Sequence, residues 1–328
     1  MTLPRMSVVM PVYNVEAYVE EAIRSVLDQS FTDFELIVVD DGGNDNSLTL
    51  VRGFDDPRIR IVSQPNRGLP GARNTGIANA RAPYVALLDS DDRWNREKLM
   101  LHYIHLEANP DVGVSFSGSR LIDCNGNVLR VAMKPKLNAI TARDILCRNP
   151  VGNGSAPVIR RSALDAVAFP HPTEAGRTCW FDESFRQSED IELWVRMIAR
   201  HGIRFDGIAG QLTDYRIIGG ALSANVVQQY ASWARMMDAL RGTAPDLVAQ
   251  FGDTARAYQL RYLARRCVQL GNGTLGHDFM RRAIRSDRRI LVQEPIKSLT
   301  TWAAVHVARL AGPDRFRAIA RPYMKAAA

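Results

Sequence analysis

Cysteine is scarce in this chain: four in 328 residues (Cys124, Cys147, Cys179 and Cys267), well separated and without a CxxC pair. That excludes a structural zinc knuckle and a disulfide framework, and free thiols suit a reducing cytoplasm. Long apolar runs are also missing. Nothing approaches the roughly 18–20 residues that cross a bilayer, and the nearest stretch, Leu299 to Leu310, is interrupted by His306 and Arg309. It reads as a buried or interfacial helix. The opening MTLPRMSVVMPVY has neither the apolar length nor the cleavage site of a signal peptide. No internal repeat or low-complexity tract occurs. Glycine is missing from the turn after the first apolar run, PVYNVEAY. The GxGxxG of a dinucleotide-dependent oxidoreductase is thereby excluded, and the basic glycine-rich loop of a nucleotidyltransferase is not there either.

What is present can bury a large core, since 46% of residues are hydrophobic. The length allows one large α/β domain with an appendage. A net charge of +7 favours anionic partners. The excess lies late in the chain, at Arg281, Arg282, Arg285, Arg288 and Arg289, then Arg315, Arg317, Arg321 and Lys325. It is either a solvated basic helical face or a peripheral contact with a membrane surface. No recognition motif accompanies the charge, so nucleic acid is not an expected partner.

Hydrophobic patterning places strands at Ser7–Val12, Glu35–Val39, Arg58–Val62 and Tyr84–Leu88, with helices between them. Asn14 is expected to cap the first helix, with Glu16 in its first turn. Further helices are expected at Ser47–Phe54, after the loop that starts at Gly68, and at about Arg96–Glu107. Short strands follow at Val112–Phe116 and Pro157–Arg160. Ser188 is expected to cap a helix over Glu189–His201 that Gly202 ends. From about Val226 the pattern is helix after helix. The expected fold is therefore α/β, a mostly parallel sheet flanked by helices over 1–225, with a helical C-terminal region over 226–328.

Two acidic clusters fall at expected strand carboxyl ends, where such sheets bind ligands: Asp40-Asp41 and Asp89-Ser90-Asp91-Asp92. Three carboxylates together suit a divalent cation, Mg²⁺ or Mn²⁺, shared with substrate phosphates, or else a solvated acidic turn. Asp40 and Asp41 suit a base N–H or a ribose hydroxyl, or a turn before Gly42. Arg73, with Asn74, follows a Gly-Leu-Pro-Gly loop and could clamp a phosphate. Glu189-Asp190 either complements a helix dipole or supplies a general base. Tyr215-Arg216, with Gly219-Gly220 and Ser223 after it, reads as a lid carrying an arginine or as an ordinary loop.

The segments SVVMPVYN, FTDFELIVVDDGGNDNS, NRGLPGARNTGI, YVALLDSDDRW and SEDIELWVR occur in one order. Together they closely resemble the family-2 glycosyltransferases, which have the GT-A fold, over roughly residues 6–225. The resemblance implies an inverting enzyme with a nucleotide-diphospho-sugar donor (a UDP-sugar favoured) and a divalent metal. It implies an acceptor hydroxyl on a glycan or lipid-linked saccharide and a cytoplasmic site of action. Carried onto this chain, Pro11, Tyr13 and Glu16 border the nucleotide. Asp41 contacts the base with Asp40 beside it, and Arg73 lies near the phosphates. Asp89, Asp91 and Asp92 form the acidic element, with Asp91 and Asp92 toward ribose and metal. Asp190 is the catalytic base and Glu189 its neighbour. Trp94 lies either against the sugar or in the core, and Arg216 is a further phosphate contact. Two departures stand out: Gly43 where many relatives have serine, a mild change, and Ile217-Ile218-Gly219-Gly220 where many carry a basic residue or histidine.

Overall fold

The first strand, β1 (Met6–Val12), has every residue buried, as expected of a strand covered on both faces. This computed structural model describes residues 3–218 and 225–327, with side chains to 311. Gly219, Gly220 and Ser223 of the expected lid, and the side chains of Arg315, Arg317, Arg321 and Lys325, lie outside the described residues. By internal contacts the chain divides into two units. One is Met1–Thr141 with Pro150–Ile218, and the other is Ala142–Asn149 with Gly219–Ala328.

In the first unit β1 is followed by α1 (Val19–Leu27), β2 (Phe34–Asp40), α2 (Ser47–Arg52), β3 (Ile59–Ser63), α3 (Gly68–Asn79) and β4 (Tyr84–Leu87). β1 pairs in parallel with β2 on one side and β4 on the other, and β3 lies beyond β2. The chain thus reverses its direction of growth between β1 and β4. That switch point puts a crevice outside the carboxyl ends of these two strands. The first helix starts later than the sequence suggests. Asn14 takes a left-handed φ of 51°, and its Oδ1 accepts from Asn44 N at 2.8 Å instead of capping α1. Glu16 likewise leaves the helix and accepts from Asn46 N at 2.9 Å.

Next come β5 (Arg93–Trp94), α4 (Lys98–Ala108), β6 (Val112–Ile122) and β7 (Val128–Met133). α5 (Ala142–Arg148) groups with the second unit. The first unit resumes with β8 (Val158–Arg160), α6 (Arg161–Val167), β9 (Phe169–Pro170), β10 (Thr178–Cys179), α7 (Glu189–His201) and β11 (Arg204–Arg216). The sheet order is β3-β2-β1-β4-β8-β6-β11-β5, with β7 on β6. β8 runs antiparallel between β4 and β6, and β11 pairs in parallel with β6. β1 to β4, β6 and β11 therefore share one direction, so the sheet is mostly parallel, as expected.

The second unit is helical: α5, α8 (Val226–Thr243), α9 (Pro245–Gln269), α10 (Gly273–Ser286), α11 (Ile290–Gln293) and α12 (Pro295–Ala327). Its core joins Leu260, Leu263, Ala264 and Cys267 of α9 to Phe279, Met280 and Ala283 of α10 and Val305 of α12. Asn225 and Asn272 cap α8 and α10 by accepting from Gln228 N and Leu275 N.

α4 carries a buried amine. Lys98 Nζ donates to Ala156 O at 2.7 Å and lies 3.4 Å from His102 Nε2 and 5.3 Å from the centre of the Trp94 ring. His102 Nδ1 is 2.7 Å from Ser115 Oγ. Burial pushes the Lys98 pKa from 10.5 down to about 7. Between those values the unfolded chain binds a proton that the native state does not. Stability from this site therefore rises with pH across that window, by roughly 1.4 kcal/mol per unit at most. The melting temperature of the wild type relative to Lys98→Met should climb from pH 7 to pH 10. A pH-independent difference in calorimetric scans would refute the neutral-amine assignment.

Candidate functional site

The Asp89–Asp92 turn leaves the carboxyl end of β4 at the switch point. A serine that the sequence gave no reason to single out organises it. Asp89 N donates to Ser155 Oγ at 2.9 Å, and that hydroxyl donates to Asp92 Oδ2 at 2.6 Å. Asp92 Oδ1 accepts from Arg216 N at 2.8 Å. Asp92 is fully buried, and both its oxygens serve to tie the end of β4 to the end of β11. Burial, then the charges of Asp91 and Asp89, push its pKa well up. Among the described residues no other residue donates a hydrogen bond to the half-buried Asp91 carboxylate. Burial and the neighbouring Asp89 charge raise it to about 6. This crowded set of hard oxygen donors suits a divalent cation, with Asp91 and Asp89 better placed to contribute oxygens than the occupied Asp92.

Arg73 projects from α3 and is only 2% exposed. Its Nη2 donates to Asp89 Oδ1 at 2.7 Å and its Nη1 to Glu189 Oε1 at 2.9 Å. Burial opposes its charge, but Asp89 and Glu189 outweigh that and raise its pKa. In this arrangement both terminal nitrogens are spent on carboxylates. Arg73 stands behind the acids and joins them, where the sequence suggested a phosphate clamp. Next to it Asn74 is equally occupied, accepting from Trp180 N and Phe181 N and donating to Phe181 O and Glu183. Together the two residues fix the segment that leads into α7.

α7 opens on Glu189-Asp190. Ser188 precedes it with a left-handed φ of 66° and no side-chain cap bond, so the expected cap position is right but its hydrogen bond is not made. A non-glycine residue held at such a φ is strained, and strain of this kind accompanies functional turns. Burial raises Glu189 to about 7 against the opposing pull of Arg73. Burial also raises the half-buried Asp190, again with Arg73 opposing. Arg73 thus bridges the base candidate's neighbour to the acidic turn.

The remaining expected donor contacts surround the ends of β1 and β2. Pro11 is buried in β1 while Tyr13 and Glu16 are exposed beyond it. Asp40 Oδ1 accepts from Gly42 N at 3.2 Å. Asp41 is buried, accepting from Gln64 Nε2, Arg67 N and Gly68 N, so its carboxylate shapes the loop that enters α3. Gly43 is less replaceable than the sequence suggests, because a Cβ there would lie 3.0 Å from Asn14 Oδ1. Arg216 is buried as well. It donates to Asp91 O at 2.6 Å and to Asp123 O at 3.1 Å, and pairs with Glu21 over the Tyr18 ring. In this arrangement it is a strut inside the protein and does not serve as a phosphate contact. Trp94, for which sugar site and core were both open, is in the core and donates its indole N–H to Ser155 O at 2.9 Å.

Three contributors escape sequence reading: Gly154, Ser155 and Arg186. The run Gly152-Asn153-Gly154-Ser155 carries no titratable side chain to draw attention to it. A Cβ on Gly154 would lie 2.1 Å from Arg73 Nη2 and 2.8 Å from Asp89 Oδ2, so only glycine fits beside the ion pair. Arg186 is exposed, has no ion pair among the described residues, and its Nη1 sits 2.6 Å from where a Cβ on Gly68 would be. His171, Cys179 and Glu183 also converge within 4.8 Å. They make a poor metal site, because His171 Nδ1 accepts from Thr173 N and Glu174 N, which leaves the proton on Nε2, and Glu183 is held by Arg177 and Asn74.

A mostly parallel α/β sheet with acids gathered at its switch point is the architecture of a GT-A-type glycosyltransferase. The profile of glycosyl transferase family 2 matches residues 7–167, and the chain belongs to that family. It is 40% identical over 175 residues to an uncharacterized glycosyltransferase of Haemophilus influenzae, covering 52% of this chain and 68% of that one. It is 29% identical over 220 residues to an Escherichia coli UDP-Glc:alpha-D-GlcNAc-diphosphoundecaprenol beta-1,3-glucosyltransferase, covering 67% and 79%. The fold is similar to that of a Pyrobaculum calidifontis mannosyltransferase in complex with GDP-Man and Mn²⁺, with a TM-score of 0.58 at 19% identity over 95% of this chain and 87% of that one.

If the Arg73 bridge aligns the acids, Gly154→Ala should disrupt it without replacing any titratable group. Activity should drop by about 10²-fold, the scale of a displacement near 1 Å, with helicity retained. Full activity in the folded variant would show that the bridge is not needed.

Proposed function

We propose that this glycosyltransferase is inverting and metal-dependent, moving a sugar from a nucleotide-diphospho-sugar (a UDP-sugar favoured) to a hydroxyl of a glycan or lipid-linked acceptor in surface-polysaccharide or glycolipid assembly. The observation that carries this reading is the ion-paired bridge Asp89–Arg73–Glu189. It links the acidic turn that carries Asp91 to the residue adjoining Asp190. The E. coli relative, by its name, uses UDP-Glc and a diphosphoundecaprenol-linked acceptor, and the archaeal neighbour was solved with GDP-Man and Mn²⁺. Those names support a nucleotide-sugar donor here and leave two nucleotides in contention.

A divalent ion, bound through Asp91 and Asp89, would offset the charge of the donor diphosphate. The chain's own part follows from its side chains. Asp190 takes the proton of the acceptor hydroxyl as that oxygen attacks the anomeric carbon. The bond from that carbon to the diphosphate oxygen breaks, and the nucleoside diphosphate leaves with the electron pair. Attack and departure on opposite faces invert the centre, and no covalent enzyme intermediate forms. Glu189, held by Arg73, keeps the first turn of α7 in place. Arg186 is an exposed cation beside the Asp41-ordered loop. Nucleotide sugars are made in the cytoplasm, which makes that compartment the site of action in this reading. No helix among the described residues is long and apolar enough to cross a membrane.

Two measurements test this. Titration calorimetry with UDP, GDP and dTDP, with and without Mn²⁺, should show one nucleotide whose affinity rises at least tenfold with the ion. No binding by the folded protein would favour a degenerate binding module. Asp190→Asn should keep that nucleotide affinity while transfer falls by about 10²–10⁴-fold, the usual contribution of a general base. Because the Asp190 pKa is raised, wild-type kcat/KM should fall as pH drops through a value above the ordinary aspartate range. Near-normal transfer by the variant would remove Asp190 from the mechanism.

A further inference from the structure

α12 turns its larger apolar side chains to solvent. The residues it buries are Ser298, Thr301, Val305 and Ala308, three of them small or hydroxylated. On the opposite side Ile296 is 76% exposed, Leu299 60%, Val307 48% and Leu310 86%, with Ala303 exposed among them. At 100° per residue these five positions fall in one stripe about 80° wide and about 21 Å long. Such a stripe is an unfinished interface and not an ordinary scatter of exposed residues.

Its rim identifies the occupant. Lys297 and Arg309 flank the stripe, and no acid occurs from 295 to 313. Glu294, just before it, is buried and paired with Arg148, Arg261 and Lys297. Beyond it the chain adds Arg315, Arg317, Arg321 and Lys325 against Asp314 alone. Trp302 is half-exposed at the stripe's edge, its ring 4.1 Å from that of His306, the amphipathic placement that suits a headgroup layer. A second copy on the same face would set this basic rim against itself across a two-fold axis, which is repulsive. An anionic lipid surface complements both the stripe and its rim.

We propose that α12 lies in the plane of an anionic bilayer surface, inserting Ile296, Leu299, Ala303, Val307 and Leu310 between headgroups and anchoring its edge with Trp302. Among its described residues the helix is not long and apolar enough to cross a membrane. This docking is independent of the glycosyl-transfer reading, and its test reads no activity. The full chain would be sedimented with phosphatidylcholine vesicles containing about one-third phosphatidylglycerol, and with pure phosphatidylcholine. The wild type should bind the anionic vesicles and bind the neutral ones several-fold less. Leu299→Glu with Leu310→Glu should lower anionic binding about tenfold, with unchanged helicity and melting. If that pair fails to fold, Leu299→Ser with Leu310→Ser replaces it. Equal binding by variant and wild type, equal binding to both vesicle types, or no binding at all would overturn the proposal. So would a wild-type dimer in sedimentation velocity that the variant dissolves.

Discussion

One guanidinium holds the candidate site together. Arg73 is removed from water and donates to Asp89 after β4 and to Glu189 at the start of α7, two elements far apart in sequence. A buried ion pair of this kind adds little net stability, because desolvation offsets most of the attraction. Removing one partner is costly, since the survivor is left as an uncompensated charge. The consequence is rigidity: the acidic turn and the first turn of α7 cannot drift apart without exposing an unpaired arginine or carboxylate. Gly154 belongs to the same constraint, because a side chain there would occupy the space of the pair.

The carboxylates around this pair are then distinguished by their partners. Asp92 and Asp41 have the same chemistry as Asp91 but are consumed in shaping backbone, one joining β4 to β11 and the other ordering the loop into α3. At Asp91 burial and the Asp89 charge outweigh the pull of Arg216 and Arg73. A site that gathers negative charge and spends both Arg73 and Arg216 internally has little positive charge of its own to offer a diphosphate. In the proposed reading that charge would come with a divalent ion or from an exposed side chain such as Arg186. That charge balance is in keeping with the proposed cation-dependent donor site.

Much of this was legible in the sequence. Apolar runs located β1, β2 and β4, and the acids that follow them marked the carboxyl ends where ligands bind. The Ser188–Gly202 bracket located α7. What stayed hidden has physical reasons. The first helix was placed too early because Asn14, an ordinary capping residue, takes a left-handed turn and bonds across to Asn44. The start of α3 read as a loop because Gly68-Leu69-Pro70-Gly71 looks like one. The helix buries Pro70, Gly71, Ala72, Arg73, Asn74, Gly76 and Ile77, so it shows no solvent-facing period to detect. Residue type suggests a phosphate clamp at Arg73, and the resemblance implies a phosphate contact at Arg216. Only the three-dimensional partners show that both are consumed.

α3 also explains why small residues matter more than charged ones around this site. A Cβ on Gly76 would fall 2.1 Å from Val9 Cγ1, so the helix rests directly on β1 at the switch point. That closeness brings Arg73 within reach of Asp89 and Asn74 within reach of Trp180 and Phe181. A helix standing off by the width of a side chain would leave the guanidinium unable to bridge both carboxylates. The chemistry assigned to the acids therefore depends on glycines that carry no chemistry, and a reading restricted to titratable residues passes over them.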